Sequence, residues 1–92
     1  MRFNWDPEKA ASKLNKHRVS FAEATTVFGD PLSMTFYDPD HSTDEDRYIM
    51  IGVSSEQRLL VVAHVERNDE FRIISARPVT RQERQFYEEQ ER

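Results

Sequence analysis

Ninety-two residues, 33% of them charged and 37% hydrophobic, with a net charge of −4, allow one domain with one core and leave no room for a second lobe or an internal cofactor cavity. The absence of cysteine excludes disulfides, thiol catalysis and thiolate zinc sites. No run approaches the roughly 20 apolar residues of a membrane span, and Met1-Arg2-Phe3-Asn4-Trp5-Asp6 lacks the apolar centre of a signal peptide, so a single cytoplasmic α+β domain over residues 1–92 is expected.

The opening Phe3-Asn4-Trp5 is long enough only for an edge strand. Asp6-Pro7 supplies an N-cap followed by proline at the first helical position, and predicts a helix from Pro7 to His17. Ala10, Ala11 and Leu14 lie on one side of it. Lys9, Lys13 and Lys16 recur at i, i+4 and i+7 as a basic stripe, which reads either as a nucleic-acid contact or as a solvated helix face. Ser20 with Glu23 three residues on is a capping box that opens a second helix, Phe21 to Phe28, with Phe21, Ala24, Val27 and Phe28 as its apolar face. Gly29-Asp30-Pro31 ends it.

From Leu32 onward the hydrophobic period changes to two. Leu32 to Tyr37, Tyr48 to Val53, Leu59 to Glu66 and Phe71 to Ala76 are four strands divided by short polar segments, which implies a four-stranded antiparallel meander. Thr80 caps a polar final helix from Arg81 to Arg92 with Phe86 and Tyr87 as its only apolar anchors. The element order is β-α-α-β-β-β-β-α.

Charge is distributed unevenly. Residues 1–18 hold five Lys or Arg against two acids, and residues 19–57 hold eight acids against one Arg. One face of an acidic protein can therefore be basic.

The chemistry-bearing residues concentrate in the last two strands. His64 and Glu66 are two apart, so their side chains leave the same face roughly 7 Å apart at the backbone and could serve a phosphodiester as base and acid. Arg67, Arg72 and Arg77 would supply positive charge to the non-bridging oxygens. The hairpin register decides which of them joins His64: a three-residue loop places Arg72 on that face, and a two-residue loop places Arg77 there. Against this stands the plainer reading, in which His64 is a packed core residue and Glu66 an ordinary cross-strand ion partner. Trp5 and Tyr87 could stack on bases, although core packing suits the tryptophan better. The segment Asp38 to Asp46 has the first aspartates of a calcium loop but Thr43 where glycine is needed and Ile49 where a bidentate glutamate is needed, so it reads as a solvated loop. His17, His41 and His64 have no metal-ligand spacing. No metal or other cofactor is expected.

Five fragments in order carry a resemblance: Phe3-x-Trp5-Asp6-x-x-Lys9-Ala10, Lys16-His17-x-Val19-Ser20-Phe21-x-Glu23-Ala24, Val27-Phe28-x-Asp30-Pro31, His64-x-Glu66-Arg67 and Arg72-Ile73-Ile74-Ser75-Ala76-Arg77. Together they resemble the BrnT family of toxins from Phe3 to about Tyr87. The resemblance implies a RelE-like fold and an endoribonuclease toxin of a type II toxin-antitoxin pair. It also implies neutralisation by a BrnA-type ribbon-helix-helix antitoxin, through which alone operator DNA would be bound. Carried over by position, it points to His64, Glu66, Arg67 and Arg77 as the catalytic set, with RNA-binding support from Lys9, Lys13, Arg72 and Trp5. One departure is Arg18, which stands where the family usually has glycine, so the turn between the helices is expected to need a less favourable backbone conformation.

Two rival functions remain. One is a non-catalytic module that binds an acidic protein partner. The other is a DNA-binding repressor using helices one and two as a helix-turn-helix, disfavoured because Phe21 to Phe28 bears Glu23 and no basic side chain. The ribonuclease reading requires the titratable tips of the last two long strands to meet in one open cleft.

Overall fold

The computed structural model describes residues 1–90. Its elements are β1 (Arg2–Trp5), α1 (Pro7–His17), α2 (Phe21–Thr26), β2 (Met34–Tyr37), β3 (Arg47–Val53), β4 (Leu59–Arg67), β5 (Glu70–Pro78) and α3 (Arg81–Gln90). The continuation of the last helix to Arg92 falls outside the described residues.

The helix starts follow from local chemistry. Asp6 accepts a hydrogen bond from the Glu8 N–H at 2.9 Å, and Pro7 takes the first turn of α1. Ser20 accepts from the Glu23 N–H at 2.9 Å. The Glu23 carboxylate does not complete the box. It is engaged instead by the Arg58 guanidinium and by the Ser54 hydroxyl at 2.6 Å, tying α2 to the β3–β4 turn. The reciprocal box forms at α3, where Thr80 Oγ1 accepts from the Glu83 N–H and Glu83 accepts from the Thr80 N–H.

Helix α2 stops at Thr26, short of the expected Phe28, and Val27–Gly29 continues as a 3₁₀ turn. The β-branched run Thr25-Thr26-Val27 explains this. Both threonine hydroxyls bond back to carbonyls three residues earlier, at 2.7 and 2.6 Å. Arg18 adopts the left-handed conformation at φ 60°, ψ 30° and sends its N–H to Leu14 O at 2.8 Å, the conformation that glycine would have made easy.

The sheet corrects the expected four-stranded meander. Strands β2 to β5 do form an antiparallel meander, but β1 joins it as a fifth strand, giving the order β1-β5-β4-β3-β2 with β1 parallel to β5. Arg2 pairs with Glu70 and Trp5 with Ile73. A four-residue strand carries too little periodicity to announce a partner this distant in sequence.

One face of the sheet packs under α1 and α2. Val19, Phe21, Ala24 and Val27 meet Met50, Leu60, Val62, Ile73 and Ala76 there, with Trp5, Phe3 and Phe28 at the margin. The other face carries a smaller cluster in which Tyr87 of α3 covers Ile51, Leu59 and Val61. Asp30 fastens that helix: its carboxylate accepts from the Val53 N–H at 2.8 Å, the Leu32 N–H at 2.9 Å and the Tyr87 hydroxyl at 3.0 Å. Burial pushes the Asp30 carboxyl up, but these three donors together hold it below its ordinary value. Because α3 covers only the β3–β4 turn end of its face, the end nearer the β4–β5 turn stays open.

Candidate functional site

The β4–β5 turn settles which side chains share a face. Asn68 and Asp69 form a two-residue turn with φ of 51° and 66°, and Arg67 pairs with Glu70 across it. Asn and Asp tolerate the left-handed region better than other non-glycine residues. In an unbroken ladder this loop would place Arg77 with His64. A bulge prevents it. Ala63 pairs with Ser75 and His64 with Ile73, so Ile74 is the extra residue and everything after it on β5 changes face.

His64 and Glu66 therefore point to the helix-covered face, and Arg67, Arg72 and Arg77 to the other. The expected single constellation does not form: the requirement that these tips meet in one open cleft fails for His64, Glu66 and Arg77, so a ribonuclease site has to be built from what the open face gathers instead. His64 is fully buried, its ring packed against Phe28 at 4.9 Å, Phe71 at 5.7 Å and Tyr48 at 5.8 Å. Nε2 lies 3.3 Å from Glu66 Oε1, and Nδ1 has no hydrogen-bond partner. Burial holds the imidazole below its ordinary pKa, against the opposing pull of the Glu66 carboxylate. In this position the ring is shut off from solvent. Glu66 is 48% exposed at the rim.

Arg77 is also separated, at the α3 end of β5. Its guanidinium makes a fork to Glu83 of α3, with Nη1 to Oε1 at 2.8 Å and Nη2 to Oε2 at 2.9 Å. This pairing depresses the Glu83 carboxyl to about 2 and raises Arg77. Trp5 packs edge-on against Phe21 at 6.1 Å and belongs to the core margin rather than to a base-stacking surface. Lys13 is half-buried on α1.

What the fold does gather is a different set. On the open face lies a cleft of about 420 Å³ whose walls include Lys9, Arg47, Arg67 and Arg72, with Val65 and Ile74 in the sheet beneath. Of the expected residues, Lys9, Arg67 and Arg72 meet here. Lys9 and Arg72 make no ion pair among the described residues, and Arg67 is paired with Glu45 on the β2–β3 loop. Asn4 and Glu70 hold the β1 side, with Asn4 Nδ2 donating to Glu70 at 3.0 Å and Arg2 3.4 Å from the same carboxylate.

Arg47 joins the cleft without having been among the expected residues. Its Nε is buried without a hydrogen-bond partner, an arrangement that normally carries a penalty of about 1–3 kcal/mol. The signal for it was available: Arg47, Ile49 and Ile51 alternate, so Arg47 shares the face of Ile51, opposite the helices. It was hidden by the acidic run before it. His41 also lines the cleft, and the clue there was the i, i+3 spacing from Asp38. Four cations on three strands and a helix meet in this concave surface beside the carboxylates of Asp44, Glu45 and Glu70, and those without an acidic partner can hold a phosphodiester by its non-bridging oxygens.

The helix-turn-helix reading loses its recognition element, since α2 has six residues, buries Phe21 and Ala24, and commits Glu23 to Arg58. Among the described residues, no helix is long and apolar enough to cross a membrane.

Comparison with known proteins bears on the same chain. No curated protein matches it. The crystal structure of the ribonuclease toxin BrnT from Brucella abortus superposes with a TM-score of 0.67 at 21% identity, covering 88% of this chain and 99% of that one. This shows a shared fold. A family model described as the ribonuclease toxin BrnT of type II toxin-antitoxin systems matches residues 5–83. With so much of the sequence matched, the chain belongs to the BrnT family of ribonuclease toxins of type II toxin-antitoxin systems.

Proposed function

We propose that this chain is an endoribonuclease toxin whose substrate phosphate sits in the cleft of Lys9, Arg47, Arg67 and Arg72. The observation that carries the reading is the convergence of these cations in one open cleft, with the Arg47 Nε desolvated and unpartnered, in a chain of a ribonuclease family. Cleavage proceeds by attack of the ribose 2′-hydroxyl on the adjacent phosphorus, leaving a 2′,3′-cyclic phosphate. The guanidinium groups offset the charge that builds on phosphorus as the fifth bond forms. DNA, lacking the hydroxyl, is left intact. The catalytic role given on resemblance to His64 passes to a residue of the open face, because the His64 ring is sealed. Arg77 acts in holding α3, and Glu66 stays at the rim of the opposite face.

The partner is a BrnA-type ribbon-helix-helix antitoxin, with operator DNA bound through it. A helix of the antitoxin laid over the cleft would exclude substrate and neutralise Lys9 and Arg72. The rival reading, a non-catalytic module for an acidic protein, draws on the same exposed cations and is separated by products alone.

The test is cleavage of RNA by the purified chain, alone and on ribosomes, with products mapped by primer extension. Cyclic phosphate ends, continued cleavage of free RNA in excess chelator, and loss of cleavage in folded Arg72→Ala and Arg47→Ala variants are expected. Intact RNA in both settings would refute the ribonuclease reading. Unchanged cleavage in both variants would refute the placement of the site.

A further inference from the structure

Positive charge alone stabilises a phosphorus transition state but does not remove the 2′ proton. A group within reach of the bound phosphate must accept it. Of the histidines, His64 is sealed on the opposite face, and neither it nor His17 lines the cleft. His41 does.

His41 is held in a way that suits the task. Its Nδ1 lies 2.8 Å from Asp38 Oδ2, and the two side chains differ sharply in access, 63% exposed for the histidine and 12% for the aspartate. An ionised carboxylate can only accept, so Nδ1 carries the proton donated to Asp38 and Nε2 is left as the basic nitrogen. The short turn that presents the ring is tied to Arg47 at both ends. The Asp38 N–H donates to Arg47 O at 2.8 Å, and the Arg47 N–H donates to Ser42 Oγ at 2.9 Å. The imidazole and the guanidinium with the unpartnered Nε are thus mounted on the same few backbone bonds.

Resting on the ribonuclease reading above, we infer that His41 is the general base of the cleft, with Asp38 as its positioning residue. Nε2 takes the proton of the 2′-hydroxyl as the 2′-oxygen bonds to phosphorus. The bond from phosphorus to the 5′-oxygen breaks, and that oxygen takes a proton from water. The hydroxide left behind recovers the proton from the imidazolium, so neither acid nor base is consumed. Arg67 and Arg72 hold the non-bridging oxygens, and Lys9 borders the cleft from α1.

The experiment compares unsubstituted protein with His41→Ala, Asp38→Asn and Arg72→Ala on free and ribosome-bound RNA, each checked for native fold by circular dichroism. Because His41 is largely exposed, its removal leaves the core untouched. His41→Ala is expected to slow cleavage by about 100-fold or more, the usual contribution of a general base, with unchanged affinity for an RNA blocked by 2′-O-methyl groups. Added imidazole should restore part of the rate, which a structural role would not allow. Asp38→Asn should lower kcat and leave KM in place. Unchanged cleavage by His41→Ala, with Arg72→Ala inactive, would overturn the role of His41 and leave the ribonuclease reading standing. Intact RNA with the unsubstituted chain would overturn both.

Discussion

Replacing His64 with leucine, a side chain of similar volume, separates a packing role from a catalytic one. The imidazole contacts three aromatic rings and leaves Nδ1 without a partner. Removing an unsatisfied buried nitrogen recovers about 1–3 kcal/mol, against which the weak contact to Glu66 and imperfect filling of a flat site count for about as much. Stability near pH 7 should therefore change by no more than about 1 kcal/mol. The acid side is more telling. The folded-state pKa of His64 is depressed below its unfolded value of 6.5, so in acid the unfolded chain binds a proton that the native chain refuses. Stability should fall as pH drops below about 6.5, with a slope from this group approaching 1.4 kcal/mol per pH unit. The leucine variant should lose that component. Urea unfolding followed by fluorescence of Trp5, the only tryptophan, measures both chains between pH 5 and pH 8. An identical acid slope in the two would show that His64 is not held neutral by burial. Loss of RNA cleavage in a variant that remains folded would show that the ring reaches substrate.

Two further outcomes are expected from local geometry. Arg18→Gly should stabilise the protein by about 1 kcal/mol, because glycine occupies the left-handed cap without the Cβ penalty while the carbonyl that accepts from Arg58 is retained; thermal unfolding reads it, and a lower midpoint would contradict the strain argument. The Glu83 carboxyl, held at about 2 by Arg77, contributes stability that is present above its unfolded value of 4.5 and lost as pH falls toward 2. The pair is partly solvated, so Glu83→Gln should remove about 1 kcal/mol at pH 7 and little at pH 2, measured by denaturant titration at the two pH values; an equal loss at both would assign the effect to the cap and not to the charge.

Much of the fold was readable because short-range chemistry decides it. Asp6-Pro7 set the start of α1, and the change to a period of two at residue 32 marked the meander. The parallel pairing of β1 was not readable, since four residues carry no signature of a partner at residues 70–73. The candidate site was harder still. Lys9, Arg67 and Arg72 do line one cleft, but their grouping with His64, Glu66 and Arg77 assumed a regular hairpin. One extra residue at Ile74 transfers Arg77 to the other face, and no propensity at Ile73-Ile74-Ser75 announces that bulge. Spacing speaks only against a metal role for His41, and an acidic, irregular segment hides that the β2–β3 connection brings both it and Arg47 beside the sheet.

The edge pairing of β1 has a consequence for biosynthesis. Asn4 and Lys9 wall the cleft on one side, and Val65, Arg67, Arg72 and Ile74 on the other, so segments some 60 positions apart must both be present before any concavity exists. A ribosome has to deliver nearly the entire polypeptide first. Nascent or truncated chains that stop short of the β4–β5 hairpin therefore carry no such cleft.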